Sequence, residues 1–324
     1  MIQINLFNSS ANQYRLPLVK CALQELSNIT EENKQKIHLV AFFHEFNQNE
    51  WIQLLEPVVD SGIAVSTVPL QSDEYDLKMQ VVQQSSAEYI CKWDDDVFIN
   101  HHVWNFMIEN VNQLDDSNIS VIAPTLSNGM SSVELFIKDF LTQSETAHVH
   151  SIFLQDNIDP NIFGCNYHSI REHILNLTLW DGDAYWKLID EHDPTVSRNV
   201  PWYYKIVKGV HPARFSYDYN MFVANHAIQN KDVILQKQDY YLDQYITPYF
   251  CNNLFIANRD FYLNAQKLFF DHWDEGQLTM YAMQQQKSPA YIRNCYGIHM
   301  AYGCTNGQRE IEEYYIKNLF EKLI

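Results

Sequence analysis

Glycine is scarce in this chain, nine residues in 324. Neither a GxGxxG nor a GxxxxGK[ST] segment occurs, so both of the familiar glycine-rich phosphate cradles are missing. A nucleotide, if bound, must have its phosphates held by something else. Basic residues are also few: 22 Lys and Arg stand against 40 Asp and Glu, for a formal net charge of −18. That excess argues against a nucleic-acid backbone or an anionic membrane as the main partner. It leaves room for a small anion held through a metal ion. Long apolar runs are lacking too. Ile37–Phe43 is far too short to span a bilayer, so no integral membrane segment is expected. The residues from Met1 to Phe7 read as a strand and have none of the layout of a signal peptide. Six cysteines (Cys21, Cys91, Cys165, Cys251, Cys295 and Cys304) are scattered without a CxxC pair. We therefore expect reduced, buried thiols in a cytoplasmic protein. The sequons at Asn8, Asn28 and Asn176 carry no weight in that compartment.

What remains is globular in character, with 46% hydrophobic and 19% charged residues. The first 130 residues alternate between two periods. Strands are expected at Ile2–Asn8, Ile37–Phe43, Ile63–Leu70, Glu88–Trp93 and Ile119–Ala123, the last stopped by Pro124. Between them, apolar residues recur at helical spacing: Leu16, Val19, Leu23 and Leu26; then Trp51, Leu54, Leu55, Val58 and Val59, with a kink or end near Pro57. Leu77, Val81 and Val82 mark a third helix, and Val103, Phe106, Met107, Val111 and Leu114 a fourth. Such repetition predicts an α/β fold, a mostly parallel central sheet flanked by helices. The stretch from about 130 to 247 is irregular and rich in aromatic residues and His, and reads as an insertion packed on the sheet. After it come a strand at Asn253–Asn258, a helix opened by Asp274-Glu275, and a final amphipathic helix on Ile311, Tyr314, Tyr315, Leu319 and Leu323.

The most informative segment is Tyr89-Ile90-Cys91-Lys92-Trp93-Asp94-Asp95-Asp96. Three aspartates follow an apolar strand, and ligands of open α/β sheets collect outside the carboxyl ends of strands. Alternate residues of an extended chain point the same way, so Asp94 and Asp96 are expected to converge while Asp95 faces away. Two carboxylates held together repel unless a cation lies between them. Hard oxygen ligands suit Mg²⁺ or Mn²⁺, which also bind substrate phosphates. A metal would then replace the missing glycine cradle. The plainer alternative is a solvated turn, with Asp96 or Asn100 capping the next helix.

With that segment the chain resembles the GT-A-fold glycosyltransferases, in the style of the large bacterial family 2-like group. Asp94-x-Asp96 resembles their DxD metal motif. Asn12-Gln13-Tyr14-Arg15 resembles the Asn-Arg that follows their first strand. Asn252-Asn253-Leu254-Phe255-Ile256-Ala257-Asn258-Arg259 resembles the small-residue strand near their acceptor pocket, and Asp274-Glu275-x-x-Leu278 their Glu-Asp-x-x-Leu with the acids reversed. The second strand departs from the pattern, ending Phe43-His44-Glu45 where the family has an Asp-rich turn. The resemblance covers about 1–128 and 248–300. It implies a nucleotide-sugar-binding half over 1–128, an insertion shaping the acceptor side over 129–247, and an acceptor and catalytic half with a C-terminal helix over 248–324.

The activity so implied is metal-dependent transfer of a sugar from a nucleotide-diphosphate donor, a UDP sugar, to a hydroxyl of a carbohydrate or glycoconjugate acceptor, with inversion. The cofactor would be Mn²⁺ or Mg²⁺. Asp96 would ligate the metal directly, Asp94 through the ribose or a metal-bound water, and His299 as an extra metal or diphosphate contact. Asp94, Asp95, Asp96, Arg15 and Lys78 would bind the donor. Glu275, or else Asp274, would take the acceptor proton; at the start of a helix both would stay ionised, though they could equally serve only that helix end. Arg259 or Arg293 could meet phosphate or a sugar carboxylate, or form surface ion pairs. Trp180-Asp181-Gly182-Asp183 reads as a turn, and Gly209–Phe215 as part of the acceptor side or as packing. Two rivals stay open. A sugar-phosphate nucleotidyltransferase would need a Gly-rich basic first loop, which Asn8–Arg15 is not; a non-catalytic carbohydrate-binding or assembly protein could keep the same fold.

Overall fold

The computed structural model describes residues 1–7, 13–44, 48–70, 74–116, 118–129, 132–155, 216–244, 253–267, 274–300 and 307–323. Trp180–Asp183, Gly209–Phe215, Asn12, Glu45 and Asn252 lie outside them, as do Cys165, Cys251 and Cys304. The first half runs β1 (Ile2–Phe7), α1 (Leu16–Ser27), α2 (Glu31–Lys34), β2 (Ile37–His44), α3 (Gln48–Asp60), β3 (Ala64–Leu70), α4 (Glu74–Gln84) and β4 (Tyr89–Asp94). It continues with β5 (Val97–Phe98), α5 (His101–Glu109), α6 (Gln113–Asp116), β6 (Ile119–Leu126), α7 (Val133–Phe140) and α8 (Gln143–Gln155). Then come α9 (Tyr217–Gln229), α10 (Lys231–Leu235), β7 (Tyr241–Gln244), β8 (Leu254–Asn258), α11 (Arg259–Gln266), α12 (Asp274–Gln284), β9 (Ser288–His299) and α13 (Gln308–Asn318).

The strands form one sheet in the order β3-β2-β1-β4-β8-β6-β9-β5, with β7 also on β9. The pairs β1–β2, β1–β4, β2–β3 and β6–β9 are parallel, and β8, β5 and β7 run against their neighbours. The expected α/β class is therefore observed, with a mixed, mostly parallel sheet. The pleat sorts side chains onto two faces. Ile4, Leu6, Cys91, Trp93 and Ile256 share one core with Leu18, Val19 and Leu23 of α1 and Trp51 of α3. Ile90, Phe255 and Ala257 share another with Val82 of α4, Tyr262 of α11 and Leu278 of α12. Each fully buried aliphatic side chain is worth about 1.5–3 kcal/mol, which is why near-continuous apolar strands demand helices on both sides.

Helix α3 ends at Asp60, three residues after Pro57 and near the expected point. Other expectations are corrected. Strand β6 passes through Pro124 to Leu126; its pairing with β8 uses Val121 and Ile122, before the residue that lacks an N–H is reached. The middle is not irregular at its described ends. Helix α9 is capped by Ser216, whose hydroxyl accepts from the Tyr219 N–H, and it buries Tyr219, Val223, Ala224 and Ala227. Cys21, Cys91 and Cys295 are free and buried, as expected. Among the described residues no helix is long and apolar enough to cross a membrane.

Candidate functional site

Strands β1, β4, β6 and β9 run in one direction and end together, at Phe7, Asp94, Leu126 and His299. At this edge β4 stops at Asp94 and the chain turns through Asp95 and Asp96 into β5. Backbone bonds fix the turn: the Asp95 N–H donates to the Phe7 carbonyl at 3.1 Å, and the Met300 N–H to the Asp96 carbonyl at 3.1 Å. Asn100 caps α5, its side-chain oxygen accepting from the Val103 N–H at 3.0 Å. The capping alternative therefore belongs to Asn100 and leaves the aspartates for other work.

The turn divides the three carboxylates differently from simple alternation. Asp94 continues the pleat of β4, on the face of Ile90 and Lys92. Its Oδ2 lies 3.3 Å from the Lys92 ammonium and 3.4 Å from the Asn253 amide nitrogen. Lys78, from α4 on that same face, sits over the ring of Phe7, the register partner of Asp94, 4.3 Å from its centroid. Asp95 does not face away from Asp96. Both reach Arg15, at the start of α1 on the opposite face: Arg15 Nη1 is 3.1 Å from Asp95 Oδ1 and 3.3 Å from Asp96 Oδ2. The expected convergence of Asp94 with Asp96 is thus replaced by a convergence of Asp95 with Asp96, because the extended backbone ends one residue too soon.

Asp96 also faces His299. The His299 Nδ1 lies 2.9 Å from the carbonyl oxygen of Asn128, which can only accept, so Nδ1 carries the proton. In the neutral ring Nε2 then holds a lone pair, and it stands 3.5 Å from Asp96 Oδ2. The second carboxylate oxygen, Asp96 Oδ1, is buried and has no hydrogen-bond partner among the described residues. Burial pushes the Asp96 carboxyl up, but His299, when its ring is protonated, and Arg15 outweigh it and hold the group well below the usual carboxylate range. Arg15 is itself buried. Desolvation opposes its charge, and Asp96, Glu312 and Asp95 together more than restore it.

These residues fit a divalent cation in a limited way. An unsatisfied carboxylate oxygen and an imidazole lone pair, the ring oriented by a backbone carbonyl, are what a bound Mg²⁺ or Mn²⁺ would use. Asp96 and His299 would hold it, with water and substrate phosphate filling the rest. Among the described residues, no three His, Cys, Asp or Glu side chains are gathered as a metal site. Asp94, paired with Lys92, is not brought to that point.

Of the other sequence candidates, Arg293 is taken by Asp139 and Asp243 in ion pairs, so it holds the fold and no ligand. Helix α12 opens at Asp274 as expected, and Leu278 is buried. The side chains of Asp274 and Glu275 lie outside the described residues. Sequence reading missed Glu312 of α13, Lys92 and the Asn128 carbonyl, and placed Asn253 only in a strand near the acceptor pocket. Lys92 left a signal, two residues before Asp94 on one strand face.

No family model matches the chain, and no curated protein sequence does. Among solved structures it is similar to glucosyl-3-phosphoglycerate synthase from Mycobacterium tuberculosis with Mn²⁺, uridine diphosphate and phosphoglyceric acid. That match has 8% identity and a TM-score of 0.40, over 100% of this chain and 78% of that one. It is also similar to mouse xyloside xylosyltransferase 1, at 11% identity and TM-score 0.29, over 43% of this chain and 55% of that one. A cytidylyltransferase from Leptospira borgpetersenii matches at 12% identity and TM-score 0.30, over 74% and 98%. The chain's own architecture is a mixed, mostly parallel sheet flanked by helices.

Proposed function

We propose that the chain is a metal-dependent glycosyltransferase that moves a sugar from a nucleotide-diphosphate donor, a UDP sugar, to a hydroxyl of a carbohydrate or glycoconjugate acceptor, with inversion. One observation carries this reading: at the carboxyl ends of parallel strands, the buried Asp96 Oδ1 has no partner among the described residues while Oδ2 faces the His299 lone pair. A divalent ion there would supply Lewis-acid stabilisation of the charge growing on the leaving diphosphate. The chain's own residues do the rest. Asp96 and His299 hold the cation; Asn128 keeps the imidazole proton on Nδ1 and so Nε2 open. Lys92 and Asn253 orient Asp94 toward the donor, and Lys78 stands beside it on Phe7. Glu275, at the start of α12, accepts the hydroxyl proton of the acceptor, with Asp274 as the neighbouring alternative.

A nucleotidyltransferase fits less well. The first loop has no glycine between Asn8 and Arg15, and Arg15 is already engaged by three carboxylates. The test is calorimetry of UDP binding with Mn²⁺ and with chelator. Wild type should bind only with metal, and Asp96→Ala should lose that dependence. Equal binding in chelator would remove the proposal.

A further inference from the structure

Glu312 lies in the sequence far from every motif, on the exposed-looking helix α13, and yet it is fully buried. Its two oxygens take four donors. Arg15 Nε reaches Oε2 at 3.0 Å and Arg15 Nη2 reaches Oε1 at 2.8 Å, a two-pronged pair. Gln308 Nε2 donates to Oε1 at 2.6 Å, and the Tyr14 hydroxyl donates to Oε2. Burial and that bond push the Tyr14 hydroxyl up to about 12. Arg309 lies over the Tyr14 ring, but its guanidinium is paired with Glu313.

We infer that Glu312 is a positioning residue of the donor site, acting through Arg15; this rests on the reading of Asp96 as a metal ligand. One edge of the guanidinium is spent on Glu312, which leaves Nη1 to bridge Asp95 and Asp96 Oδ2. Two consequences follow. The guanidinium cannot swing onto Asp96 Oδ1, so that oxygen stays open to a cation. The charge of Arg15 is also shared among three carboxylates, so the turn stays net negative. Without the Glu312 charge, Arg15 would face only Asp95 and Asp96, and its positive end would compete with a divalent ion for the same oxygens.

The experiment is Mn²⁺ titration followed by electron paramagnetic resonance of the free ion, with and without UDP, on the full chain. Glu312→Gln keeps the size of the side chain and removes its charge. It should weaken Mn²⁺ binding about 10–100-fold, as loss of an outer partner does at metal sites, while circular dichroism stays native. Native circular dichroism with unchanged Mn²⁺ affinity overturns the inference. If Glu312→Gln does not fold, Arg15→Gln is compared with Arg15→Gln/Glu312→Gln. With the guanidinium gone, Glu312 has nothing left to position, so the two should agree within about threefold; a further tenfold loss in the double variant overturns the inference. Asp96→Ala separates this from the underlying reading. If wild type and Asp96→Ala take up Mn²⁺ equally, the metal site itself fails. If Asp96→Ala loses Mn²⁺ and Glu312→Gln does not, only the role of Glu312 fails.

Discussion

At the residue scale, the candidate site turns on single atoms. Glu275→Gln should leave Mn²⁺-dependent UDP binding within about twofold of wild type and reduce transfer by ~10²–10⁴-fold, the ordinary share of a positioned base. Full turnover in the variant would pass the role to Asp274 or to the substrate. Gly297 illustrates a residue needed for lack of a side chain. A Cβ there would stand 2.5 Å from Leu126 Cδ2 and 2.8 Å from the Thr125 carbonyl oxygen. Since Thr125 O is backbone, it cannot step aside, so Gly297→Ala should cost about 1–3 kcal/mol in urea unfolding. A variant as stable as wild type would show that β6 and β9 can part. The carboxylate triplet was legible as a site because it follows a buried strand. Which aspartate turns where was not legible: the outcome depends on β4 ending at Asp94, and nothing in DDD marks that end.

At the element scale, the unforeseen piece is β9. Its Pro289, Asn294 and Gly297 interrupt the alternation that reveals a strand, yet it is twelve residues long. A bulge explains the difference. While β6 advances from Pro124 to Leu126, β9 advances from Ile292 to Gly297. Asn294 within that detour has φ +57°, in the left-handed region that Asn tolerates better than most residues. Asp139 of α7 pins the detour, pairing with Arg293 and accepting from the Asn294 N–H at 3.1 Å. The detour sets the register in which His299 meets Asp96. Asp139→Asn should destabilise the fold by about 3 kcal/mol, the low end for breaking a buried pair, because Arg293 keeps Asp243. A change under about 1 kcal/mol in chemical denaturation would mean that the bulge holds itself. The short strands and helices of the first half, by contrast, were readable because apolar runs alternate with stretches of helical spacing.

At the scale of the whole molecule, the α/β class was readable from the alternation of periods, whereas the link between the two ends of the chain was not. Ile311, Tyr315 and Ile316 supply the apolar stripe of α13, and Glu312 beside them looks like one more solvent-facing acid. Only the folded contact with Arg15 distinguishes it. Acid should also act on the whole molecule. Burial holds His226, His38 and His102 below the ordinary value for histidine, and Glu145 only partly offsets this at His226. The unfolded chain therefore takes up more protons near pH 6. Stability from these groups is fully present above about pH 6.5 and is lost as the pH falls below it, through their lower folded values. The urea midpoint should drop between pH 7.5 and 5.5, and His226→Gln should drop less. An identical slope in that variant would clear His226 of the effect.

The bond between Arg15 and Glu312 joins residues 297 positions apart. At ordinary synthesis speeds of ~5–20 residues per second, the ribosome releases the arginine roughly 15–60 s before the glutamate that will grip it. Through that interval the nascent chain carries Asp95, Asp96 and Arg15 without their anchor. Translation that stops short of codon 312 yields a polypeptide whose sheet can be whole and whose acidic turn is nonetheless unbraced.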